Sequence, residues 1–130
     1  MVQFGVSGEK ARNERWEASI KDDPVLKSNK RGYVTYAKTN SRNSRSTQVF
    51  INFGNNAGLD GQGFSPFGFV TGDGMKIVDS LNSEYGENAP DFQGRLKSYG
   101  QPVLDKLMPN IDYIQSAKIV GAADVPKEGF

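Results

Sequence analysis

The sequence contains no cysteine and no histidine. These absences exclude a Ser–His–Asp triad, a thiol nucleophile, an ordinary zinc site and any disulfide. Cysteine usage therefore says nothing about redox compartment. Long hydrophobic runs are also missing, which leaves no candidate membrane span. The opening residues, MVQFGVSGEK, lack the basic region and the apolar stretch of a signal peptide. A soluble, cytoplasmic protein is favoured, with the compartment left open because any targeting segment would precede Met1. An excess of charge of one sign is absent too. The net charge of +1 gives no overall pull toward nucleic acid or an anionic membrane. The 130 residues suffice for one domain, spanning 1–130, that buries a core without a covalent or metal staple.

The charge that is present is unevenly placed. Residues 24–59 hold no acid and six bases, Lys27, Lys30, Arg31, Lys38, Arg42 and Arg45, whereas residues 60–130 hold ten acids and six bases. A basic third can mark an anionic partner. These bases are not at helical spacing and no aromatic ladder runs between them, so a solvated basic loop is the simpler reading and nucleic acid is disfavoured.

Hydrophobic periodicity and breakers divide the chain. Met1 to Phe4 alternates like a strand that is already under way. Residues 9–23 are a charged excursion with room for a turn of helix. Gly32 to Ala37 is β-branched and aromatic and predicts a strand. Lys38 to Thr47 is a Ser/Asn/Arg-rich loop. Gln48 to Phe53 predicts a strand with Gln48, Phe50 and Asn52 on one face. A Gly/Asn/Asp loop with a single apolar residue, Leu59, leads to a strand over Pro66 to Val70. Asp73 fits the N-cap of a helix over Gly74 to Asn82. Residues 83–93 read as loop, a second helix is expected over Gly94 to Leu107 with interruptions at Gly100 and Pro102, and Tyr113 to Val120 predicts a last strand. The tail, 121–130, is expected to fray. Strands with one or two helices and no βαβ alternation indicate antiparallel β with helices at the ends.

Four segments stand in a fixed order. They are Met1-Val2-Gln3; Gly32 through Ala37; Ser46-Thr47-Gln48-Val49-Phe50-Ile51-Asn52; and Leu59-Asp60 followed by Gly63-Phe64-Ser65-Pro66-Phe67-Gly68-Phe69-Val70 and Gly74-Met75. This set resembles the cyclophilins, the barrel-fold peptidyl-prolyl isomerases, over roughly residues 1–82, and Asp112 to Val120 looks like their closing strand. The resemblance implies a mainly-β, cyclophilin-like antiparallel β-barrel. The family form has eight strands; this chain would lack the first strands, the first helix and the strand that carries the family's catalytic arginine, all of which would precede residue 1.

Residue by residue, the resemblance implies that Phe50 floors a proline pocket, that Met1 and Gln3 line it, and that Leu59 closes a wall. Ala37 and Lys38 stand where the family uses an Ala-Asn edge to bind peptide backbone, Gln48 is the glutamine of the signature, and Phe64 lies near the position of the family's pocket histidine. Gly58 replaces the usual Trp or His before the Leu, and residues 83–111 are longer than the family's link. No catalytic residue is assigned within 1–130.

The implied activity is peptidyl-prolyl cis-trans isomerisation, acting in protein folding as a chaperone does, without cofactor or metal. The implied partners are proline-containing peptides or unfolded proteins, and cyclosporin-like ligands, with no membrane. Two other readings stay open: a catalytically weak proline-peptide-binding module and a basic interaction adaptor. Taken alone, Phe50 on an alternating strand is an ordinary core residue and Gln3 and Gln48 are ordinary surface residues; their common register is what distinguishes them.

Overall fold

The structure is a computed structural model that describes residues 1–86 and 90–121. Four short strands, β1 (Val2–Phe4), β2 (Tyr33–Tyr36), β3 (Val49–Ile51) and β4 (Pro66–Phe69), form one sheet in the order β1-β3-β2-β4. All neighbours are antiparallel. The sheet is therefore mainly-β and antiparallel as expected, but it is open and does not close into a barrel. Pro66 begins an edge strand, where its missing N–H costs no ladder bond. Opposite it, the register between β2 and β4 shifts at Val34/Thr35.

Register decides which side chains share a face. Gln3 and Thr35 are the cross-strand partners of Phe50, while Val2 and Val34 are those of Ile51. One face thus carries Gln3, Thr35 and Phe50, and the other carries Val2, Phe4, Val34, Val49 and Ile51, all half-buried. Phe50 is 1% exposed and is the largest fully buried side chain. The other buried apolar side chains, Val78, Leu96, Leu104 and Met108, belong to the helices or their ends.

The excursion after β1 contains α1 (Lys10–Trp16). Asn13 fixes its approach, accepting from the Ser7 N–H and donating to the Ser7 carbonyl, both at 2.8 Å. Gly5, with φ +112°, permits the crossing between: a Cβ there would collide with the Thr47 carbonyl and the Gln48 Cα. The excursion is tied to the basic loop by Arg45. Its guanidinium is 3% exposed, lies over the Tyr36 ring at 5.4 Å and reaches Asp23 at 2.9 Å.

The helices differ from expectation in their ends. The helix α2 (Gly74–Asp79) stops short of Asn82, and Asp73 at its N-cap makes no capping bond because its carboxylate pairs with Lys76 at 2.8 Å. The helix expected over Gly94 to Leu107 is two helices, α3 (Pro90–Tyr99) and α4 (Gln101–Leu107). They break at Gly100, whose φ is +71° and which lies so close to the Gly8 carbonyl that a Cβ would sit 2.7 Å from it. Pro102 falls in the first turn of α4, where no N–H is needed.

The strand expected over Tyr113 to Val120 does not form. Residues 112–121 form no ladder among the described residues, and Ile114, Ile119 and Val120 are exposed. Asp112 accepts from the Asn82 N–H and the Tyr113 hydroxyl accepts from Gln101, which anchors the start of the segment only. β-propensity describes fit to a pleated surface, and among the described residues no strand pairs with the segment. Of the tail expected to fray, residues 122–130 lie outside the described residues, as do 87–89 of the expected loop.

Candidate functional site

The face built around Phe50 gathers most of the residues that the sequence singled out. The ring of Phe64 meets that of Phe50 edge-on, with centroids 6.0 Å apart and planes at 63°. This T-shaped arrangement suits aromatic quadrupoles. Phe50 lies beneath and Phe64, half-buried, lies over it. Beside the pair, the Gln3 side-chain amide donates to the Gln48 amide oxygen at 2.9 Å. Period-two alternation places Met1 on the same face as Gln3, where it is 48% exposed. Ala37 gives its N–H to the Gln48 carbonyl at 2.9 Å, so that edge offers a peptide no donor from Ala37.

Phe64 reaches this position because the loop before it is folded. Residues Ala57–Gln62 form a 3₁₀ turn closed by Gly63, whose φ of +82° suits glycine. The Gly63 and Phe64 N–H groups both donate toward the Leu59 carbonyl, which returns the chain to the sheet. Leu59 itself is half-buried on this turn. Lys38, just past β2, donates to the Gln62 carbonyl at 3.3 Å and holds its ammonium 5.4 Å from the Phe64 centroid. The apolar pair is therefore bordered by one amide pair and one cation.

Beneath the turn runs a buried polar network that sequence reasoning missed. Asn29, Thr35 and Asn52 are each 0% exposed. The Asn29 side-chain amide donates to Asp60 at 2.7 Å and to the Phe64 carbonyl at 2.8 Å, and its oxygen accepts from the Thr35 hydroxyl at 2.7 Å. The Asn52 amide donates to the Tyr33 carbonyl and accepts from Asn56. The Asp60 carboxylate also accepts from the Ser28 hydroxyl and from the Asn29 N–H. The Ser28 hydroxyl, followed by the two Asn29 donors, holds the Asp60 carboxyl below the usual carboxylate range, against a smaller opposing effect of desolvation. One signal was legible: Asn52 shares the face of Phe50, and a polar side chain there needs buried partners.

The network yields a prediction. Asn29→Ala removes the acceptor of the Thr35 hydroxyl and a donor of the Phe64 carbonyl, and should cost about 1–3 kcal/mol in urea unfolding. The Asp60 contribution has a definite sign. Because its folded-state pKa is depressed, the stabilisation is complete above the ordinary carboxylate range and is lost as pH falls through the lower folded-state value. Asp60→Asn should flatten the acid limb of the stability profile, and an unchanged slope below about pH 4 would contradict the assignment.

Three of the arginines are engaged elsewhere. Arg12 pairs with Glu9, Arg15 lies over Trp16, and Arg31 grips Asp79 in a bidentate pair at 2.6 and 3.1 Å that lowers the Asp79 pKa and raises that of Arg31. An open groove of about 380 Å³ between α1 and α3, lined by Lys10, Asn13, Glu14, Glu17, Gly94, Lys97 and Ser98, has no aromatic wall and mixes both charges. Among the described residues, no Asp/Glu group is placed to hold a metal ion, and no helix is long and apolar enough to cross a membrane.

The chain matches known proteins over the part that builds this face. Residues 1–101 match the family described as "Cyclophilin type peptidyl-prolyl cis-trans isomerase/CLD". A relative from Dickeya dadantii (strain 3937), "Peptidyl-prolyl cis-trans isomerase A", is 34% identical over 96 residues, covering 71% of this chain and 44% of that protein. The chain thus spans less than half the length of the curated relative it matches. The matched region takes in all four strands, the 3₁₀ turn, Phe50 and Phe64, and on that evidence the chain belongs to the cyclophilin-type peptidyl-prolyl cis-trans isomerase family.

Proposed function

We propose that the Phe50–Phe64 face receives the ring of an X-Pro segment and promotes rotation about its peptide bond. The observation that carries this reading is the aromatic pair with the Gln3–Gln48 amide pair beside it. The uncatalysed rotation crosses a barrier of roughly 18–20 kcal/mol set by amide resonance. No proton need move and no nucleophile is required, which suits a chain without His or Cys. An apolar surface under the proline ring removes water from the planar amide, whose solvation the twisted form needs less. Gln3 or Gln48 can hold the flanking carbonyl while the bond turns, which positions the substrate. On this reading Met1, on the face of Gln3, and Leu59, on the turn that leads to Phe64, would be walls of the cup, and Ala37 with Lys38 the edge along which the peptide lies.

The substrates on this reading are proline-containing peptides and unfolded chains, the activity serves protein folding, and a cyclosporin-like macrocycle would occupy the same cup. The single domain proposed for 1–130 places all these residues in one folding unit. Calorimetric titration with an Ala-Ala-Pro-Phe peptide and its Ala-Ala-Ala-Phe analogue tests the reading. Binding should depend on the proline. Equal heats from the two peptides, or none from either, would contradict it.

A further inference from the structure

We infer that Lys38 makes this cup selective for peptides that carry a carboxylate within two residues of the proline. The inference rests on the proline-binding reading above and names the substrate class that the site prefers.

The ammonium of Lys38 is held at the rim of the aromatic pair by two contacts of different kinds. It donates to the Gln62 carbonyl at 3.3 Å and faces the Phe64 ring at 5.4 Å. An ammonium has three donors, so hydrogens remain for a ligand. Neither contact neutralises the charge. Among the described residues Lys38 takes part in none of the ion pairs, whereas Lys10, Lys76 and Lys97 each have a carboxylate partner. The surrounding sequence supplies no acid between residues 24 and 59. The first acid beyond, Asp60, has its carboxylate turned to Ser28 and Asn29.

Position matters as much as charge. Lys38 follows Ala37 at the end of β2, on the proposed peptide edge, while its head lies over the ring that would face the proline. A peptide bound there passes the ammonium within a residue or two of its proline. Ordering a long side chain is one reason that exposed ion pairs are weak, and here the carbonyl and the ring already order it.

The test uses the 130-residue protein and short peptides with one Glu or one Lys placed two before, one before or one after the proline, with Ala-Ala-Pro-Phe as reference. At low salt, at least one position should favour Glu over Lys by about three- to fivefold in Kd, the range of a well-placed exposed pair. The ratio should shrink toward one at about 1 M salt, where the Debye length is about 3 Å. Lys38→Gln should remove the preference and Lys38→Glu should invert it. Arg12→Gln, which deletes a cation paired with Glu9 away from the cup, should keep the ratio. Reference binding with all Glu/Lys ratios within twofold, or a preference that survives Lys38→Gln, would overturn the inference alone. Failure of every proline peptide to bind would overturn the proline reading and the inference with it.

Discussion

Phe50→Ala is expected to lower folding stability by about 3–5 kcal/mol, the usual cost of emptying a buried Phe site. The side chain is 1% exposed, is flanked across the sheet by Gln3 and Thr35, and is the ring on which Phe64 rests. In a domain whose whole stability is commonly about 5–15 kcal/mol, such a loss is a large fraction. The same truncation also removes the floor on which a proline would sit, so binding and folding would fall together. Phe50→Leu separates them: it keeps an apolar side chain in the sheet, so it should lose less stability, and it removes the flat ring. Urea unfolding of both variants checks the ordering. A loss below about 1 kcal/mol for Phe50→Ala would mean that this ring is not buried beneath Phe64 as described.

The second large effect concerns rate. Residues 1–130 are expected to bind a proline peptide yet to isomerise it on the order of 10²–10³ more slowly than a full-length family member that carries the arginine, as when one preorganised donor is removed from a reacting centre. That factor corresponds to about 3–4 kcal/mol of barrier. On the proposed reading the aromatic pair would supply desolvation, and a donor aimed at the prolyl nitrogen would favour the pyramidal form. Arg12, Arg15, Arg31 and Arg45 are each engaged away from the Phe50–Phe64 face, Arg45 almost fully buried against Asp23. Lys38 meets the Gln62 carbonyl at the rim. A protease-coupled isomerisation assay decides the point. A rate equal to that of the full-length relative would show that a residue within 1–130 does the arginine's work, with Lys38 the first to substitute.

What was legible in the sequence was local. The strands β2, β3 and β4 announce themselves through β-branched and aromatic runs bounded by Gly, Asn and Ser, and alternation alone put Gln48, Phe50 and Asn52 on one face. Gly100 and Pro102 marked the break between α3 and α4, because the first supplies a positive φ and the second withholds an N–H. Tyr113 to Val120 has the same local character as β2 yet forms no strand, since propensity does not provide a neighbouring edge. The Asn29–Asp60 network joins residues 31 apart and was invisible for a related reason: two polar residues in separate loops carry no mark of each other. The folding of the Gly/Asn loop into a 3₁₀ turn was likewise hidden, although its isolated Leu59 hinted that it docks. Phe64 was singled out by its place after Leu59-Asp60, and only the turn explains how its ring reaches Phe50.

The central claim is that the Phe50–Phe64 face is where an X-Pro peptide binds. Amide shift mapping by ¹⁵N–¹H NMR, with the Ala-Ala-Pro-Phe peptide titrated into the 130-residue protein, tests it most directly. The shifts should concentrate on Gln3, Lys38, Gln48, Phe50 and Phe64, with exchange cross-peaks between cis and trans peptide weaker than a full-length relative gives. Shifts confined to the α1–α3 groove around Asn13 and Lys97, or spread evenly over the surface, would contradict it.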